Sequence, residues 1–94
     1  MGRMSEVVAR RVTVHGMVQG VGFRYHAVHE AHRLGVNGWV SNEVDGTVTG
    51  VFEGTADAVE ALVAWCREGP GYARVDRVDV EPASPSGARS FSVR

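Results

Sequence analysis

Lysine is absent from this chain. All ten basic side chains in its 94 residues are arginines, which excludes a phosphate-loop lysine, Schiff-base chemistry and a lysine general base. The guanidinium is left as the one permanent side-chain cation for gripping a phosphate or carboxylate, a task its planar fork suits. Cysteine is nearly absent as well. Cys66 stands alone, so no internal disulfide forms, and the expected home is a reducing, cytoplasmic one. No apolar run approaches the roughly 20 residues that cross a bilayer, so no membrane partner is expected. Residues 1–6 lack the apolar stretch of a secretory signal; they are expected to be a disordered lead-in to a single domain over residues 7–94. Net charge is also scarce: at −1 it provides no basic footprint for nucleic acid, and none is expected as a partner.

What remains is an apolar share of 44%, enough for one modest core without staples. Residues 7–15 alternate Val12 and Val14 against Arg11, Thr13 and His15, the pattern of a half-buried strand. Gly16, Gly20 and Gly22 then fall within seven residues, marking a loop with unusual backbone angles. Phe23, Ala27, Ala31 and Leu34 recur at helical spacing, and Gly35 stops that helix. Two strands over 36–42 and 47–53 flank Asp45-Gly46, a hairpin signal. Thr55 is placed as an N-cap for a second helix with Val59, Leu62, Val63 and Cys66 on one stripe, ended by Gly69-Pro70-Gly71. Residues 73–81 form a fourth strand, in which the spacing of Val75, Val78 and Val80 breaks alternation and predicts a bulge. Residues 82–88 are expected to be loop, and 91–93 a short final edge strand.

Strand, helix, strand, strand, helix, strand is the α+β, ferredoxin-like order: an antiparallel sheet with both helices on one face. That fold hosts enzymes, RNA binders and regulatory modules, so function has to come from a site. The glycine-rich turn between the first strand and the first helix is the place to look. Loop N–H groups and the positive end of a helix converge on one point there, and Arg24 sits on the first helical turn beside them. By composition alone a plain strand-to-helix turn is slightly favoured over an anion site. It also lacks the Gly-Lys-Ser/Thr ending of a phosphate loop and the dinucleotide-binding glycine spacing.

Two segments decide between those possibilities. Val14-His15-Gly16-Met17-Val18-Gln19-Gly20-Val21-Gly22-Phe23-Arg24 resembles the first signature of the acylphosphatase family. Gly38-Trp39-Val40-Ser41-Asn42-Glu43-Val44-Asp45-Gly46-Thr47-Val48, followed by Gly54, resembles the second. Both occur in the family's order. Ser41 departs from it, standing where the family usually carries a basic or larger residue. The resemblance implies a metal-independent, cofactor-free hydrolase that converts small acyl phosphates to carboxylate and inorganic phosphate. It implies Arg24 and Asn42 as the catalytic pair, and Met17, Val18, Gln19, Gly20 and Val21 as the phosphate cradle with Arg24. Those residue types suit the chemistry. The carboxylate is already a good leaving group, so the work is charge stabilisation on the phosphoryl oxygens and alignment of a water.

Other residues have plainer readings. His26, His29 and His32 are a solvated helix face, since His29 and His32 lie at i and i+3 and not at the i, i+4 spacing of a zinc-protease helix. Cys66 is a buried hydrophobe, Trp39 and Trp65 pack, Arg74 and Arg77 are surface charge, and Glu53, Asp57 and Glu60 form a solvated acidic edge. With both helices and the sheet packed, no apolar stripe is left over, and a monomer is expected. A non-catalytic anion-binding module of the same topology is the main rival, and an RNA-recognition domain a weaker one for want of exposed aromatics on the central strands.

Overall fold

The computed structural model describes residues 6–94, so all of the expected lead-in except Glu6 lies outside the described residues. The elements are β1 (Val7–Met17), α1 (Phe23–Leu34), β2 (Asn37–Asn42), β3 (Val48–Thr55), α2 (Ala56–Glu68), β4 (Arg74–Ala83) and β5 (Phe91–Val93). The sheet order is β4-β1-β3-β2-β5. The four long strands are antiparallel to their neighbours, and β5 joins β2 in parallel, which makes the five-stranded sheet mixed. This is the α+β, ferredoxin-like arrangement.

Period-two alternation settles which side chains meet the helices. Val12 and Val14 from β1, Val40 from β2, and Val48 and Phe52 from β3 join Phe23, Ala27 and Ala31 of α1 and Val59, Leu62 and Cys66 of α2 in one core. Phe23 packs on Trp65 with ring centroids 5.2 Å apart, tying the start of α1 to α2. Gly38 permits close strand approach. At φ +135° its absent Cβ would lie 1.8 Å from the Val51 carbonyl oxygen, so no larger residue fits there.

The expected bulge falls on β4. His15 pairs with Arg77 and Gly16 with Val75, leaving Asp76 as the extra residue. The shift brings Val75 to the core side with Val78, both packed against the core, while Val80 is 38% exposed. Two expectations need correction. Pro82 lies within β4, opposite Arg10, and is not loop; β4 is an edge strand, where a residue without an N–H is tolerated. Glu53 is not part of a solvated edge. It is 4% exposed, because residues 84–88 fold across it on the sheet face away from the helices. Its carboxylate accepts from the Ser86 N–H (2.9 Å), the Ser86 hydroxyl (3.1 Å), the Gly87 N–H (2.8 Å) and the Ala88 N–H (3.2 Å). Those donors, led by the Ser86 N–H, hold the Glu53 carboxyl below its usual range against the opposing effect of burial.

Candidate active site

Arg24 and Asn42 come from elements far apart in sequence and line one open pocket of about 360 Å³. The first is delivered by the turn from β1 into α1. Gly20 (φ +74°) and Gly22 (φ +79°) take left-handed conformations that turn the chain within a few residues. Val18, 1% exposed, anchors the turn in the core. Gly22 is the N-cap of α1 and offers no side chain to it, and the first turn carries no acidic residue. The positive end of the helix is therefore uncompensated, and Arg24 adds a full positive charge there. Like charge is thereby gathered at one end of the helix. Among the described residues, no backbone carbonyl engages the N–H groups of residues 18–22.

Asn42 is delivered by the last pair of the β2–β3 ladder, opposite Val48. The hairpin beyond it is rigidly built. Glu43 N–H donates to the Thr47 carbonyl (2.9 Å) and Gly46 N–H to the Glu43 carbonyl (3.1 Å). The Asp45 carboxylate accepts from the Thr47 N–H (3.0 Å) and hydroxyl (2.7 Å); led by the backbone bond, these hold its carboxyl below the ordinary value. Among the described residues Asn42 Oδ1 is the one buried side-chain polar atom with no hydrogen-bond partner. Stranding an acceptor in this way costs about 1–3 kcal/mol.

The pocket brings together Arg24, Asn42, Val18 and Gly20 of the residues singled out in the sequence, and adds Gly22, Phe23, Tyr25, Val28 and Val93. Met17, Gln19 and Val21 do not line it. Met17 is 60% exposed at the end of β1, and Val21 packs against the core. The Gln19 side chain turns the other way, its Nε2 donating to the Glu43 (2.7 Å) and Thr47 (2.9 Å) carbonyls. The loop before α1 is thus tied to the hairpin that follows Asn42. Arg24 is steadied from another side, its guanidinium donating to the main-chain oxygen of Arg94 at 3.1 Å. Arg94 N–H in turn donates to the Val40 carbonyl at 2.7 Å, fixing that strand end beside β2.

Sequence reasoning missed the Gln19 clamp, the Arg94 main-chain oxygen and the apolar wall. Val28 was findable: it lies four residues after Arg24, on the same helix face. Elsewhere, His26, His29 and His32 are exposed, and no group of three or more His, Cys, Asp or Glu side chains is placed to hold a metal among the described residues. No helix is long and apolar enough to cross a membrane among the described residues.

Comparison with known proteins places this pocket in a context. A family model described as Acylphosphatase matches residues 10–93. A relative named acylphosphatase from a Nocardioides species is 58% identical over 83 residues, covering 88% of this chain and 84% of its own. The solved structure of an acylphosphatase from Coxiella burnetii superposes with a TM-score of 0.90 at 38% identity, covering 94% of this chain and 93% of that one. The crystal structure of full-length HypF in a phosphate- and nucleotide-bound form matches with a TM-score of 0.91 at 26% identity, over all of this chain but 12% of that one.

Proposed function

The chain belongs to the acylphosphatase family and is a hydrolase of that kind, and we propose that it cleaves small acyl phosphates by direct attack of water, with Arg24 holding the phosphate and Asn42 placing the water. The phosphate sits against the part of the 17–21 loop that lines the pocket, at Val18 and Gly20, and against the positive end of α1, where the Arg24 guanidinium completes the cradle. As the bond from phosphorus to the carboxylate lengthens, charge spreads over the phosphoryl oxygens, and fixed donors stabilise it without reorganising. Asn42 Oδ1 accepts a hydrogen bond from the incoming water and sets its line of attack. The carboxylate leaves without needing a general acid. No metal or cofactor takes part, and the protein works as a cytoplasmic monomer with neither nucleic acid nor membrane as partner.

The observation that carries this reading is that Arg24 and Asn42, 18 positions apart in sequence, line one pocket, with Asn42 Oδ1 left without a partner. Hydrolysis of benzoyl phosphate with a chelator present tests it. Wild type turns over. Arg24→Ala loses both affinity and rate, and Asn42→Ala loses roughly 10²–10³-fold in kcat with KM little changed. A well-folded wild type without turnover, or an Asn42→Ala variant of wild-type kcat, overturns it.

A further inference from the structure

The pocket is larger than a phosphate needs, and what surrounds the rest of it is apolar. Arg24 and Val28 share one helix face at i, i+4, so a substrate whose phosphate is held at Arg24 extends its acyl group along α1 toward Val28. Val93 lies across from it. It is positioned by the parallel pairing of β5 with β2, in which Val93 stands opposite Val40, two residues before Asn42. Tyr25, 68% exposed, closes the rim, its ring set edge-on to His26 at 5.5 Å between centroids. Val18 and Phe23 form the floor. Among the described residues, Arg24 is the only ionisable side chain on the wall besides the Tyr25 phenol. The other nearby guanidinium, Arg94, is turned away and stacks on Trp39 at 4.4 Å from the ring centroid.

From this wall we infer the substrate class: acyl phosphates whose acyl group is uncharged and apolar, aromatic or branched aliphatic, in preference to those carrying a second anion. The inference rests on the proposed hydrolysis at Arg24 and Asn42 and adds the acyl subsite of Val28, Val93 and Tyr25. The single cation is committed to the phosphate. A second carboxylate or phosphate on the acyl group therefore meets Val28 and Val93 with no partner and must shed water to enter. An apolar group gains by the same burial.

The test compares 4-methylbenzoyl phosphate with 4-carboxybenzoyl phosphate, which match in size and ring and differ in charge at the far end. Wild type is expected to favour the methyl compound by roughly tenfold or more in kcat/KM, mostly through KM. Val93→Lys, at a site 47% exposed and so tolerant of the change, is expected to narrow or reverse that ratio. Val28→Thr, nearly isosteric, is expected to lower the ratio of benzoyl to acetyl phosphate turnover several-fold. Equal kcat/KM for the two para-substituted substrates, or a ratio unmoved by both folded variants, overturns the apolar subsite while leaving hydrolysis intact. Failure to hydrolyse either compound instead removes the hydrolytic reading on which it rests.

Discussion

Replacing Gln19 by leucine removes the two hydrogen bonds, of 2.7 and 2.9 Å, that join the loop before α1 to the β2–β3 hairpin. The acceptors are not stranded. The Glu43 carbonyl keeps the Gly46 N–H and the Thr47 carbonyl keeps the Glu43 N–H. The stability loss is therefore close to the net value of two neutral bonds, about 2 kcal/mol, without an added desolvation penalty. For a domain of this size that lowers the thermal midpoint by roughly 10 °C. The larger effect is on catalysis. Gln19 touches no part of the pocket, yet it sets the distance between the N–H cradle and Asn42. A displacement of about 1 Å in such a pair costs on the order of 10²-fold in rate. The expected result is a fall in kcat of roughly 10- to 100-fold, measured with benzoyl phosphate well below the melting midpoint. Inhibition by inorganic phosphate should weaken less, because the cradle itself stays whole. A variant that melts early but keeps wild-type kcat would show that the clamp positions nothing, and an unchanged midpoint would refute the energetic estimate.

Two further predictions concern stability. The Glu53 carboxyl is depressed below its ordinary value of 4.5 by the Ser86, Gly87 and Ala88 donors. Its contribution is therefore fully present above that value and is lost as pH falls through the depressed one. Glu53→Gln should lower the urea midpoint at neutral pH, by the equivalent of about 2 kcal/mol, and flatten its fall in acid; parallel pH profiles for the two proteins would contradict this. Burial pushes the Cys66 thiol up to about 12, so iodoacetamide should leave it unmodified in the native protein and label it quickly in denaturant. Rapid labelling under native conditions, followed by mass spectrometry, would contradict its burial in the core.

Much of this molecule was legible before its structure. Valine and glycine placement alone located the elements, and the broken spacing of Val75, Val78 and Val80 marked the bulge that Asp76 fills. Arg24 and Asn42 were named from their signatures, and the fold brings them to one pocket. What escaped were contacts between segments distant along the chain. The burial of Glu53 depends on residues 84–88 crossing the open sheet face, which its own neighbourhood does not reveal. Gln19 was read by its place in a glycine-rich loop, whereas its side chain serves a hairpin 24 residues on. Pro82 was misassigned because a proline argues against a strand until that strand is known to lie at an edge.

The pairing of β5 with β2 also bears on how the molecule is assembled. Arg24 is held by a main-chain oxygen 70 residues away, and Val93 supplies a wall of the pocket that α1 and β2 begin. Contacts of such sequence separation cannot form locally and need the rest of the fold to bring their partners together. A chain that has already condensed its core from β1, α1, β2, β3 and α2 still has an unfinished site until residues 91–94 dock. Refolding followed by recovered turnover is therefore expected to trail refolding followed by burial of Trp65.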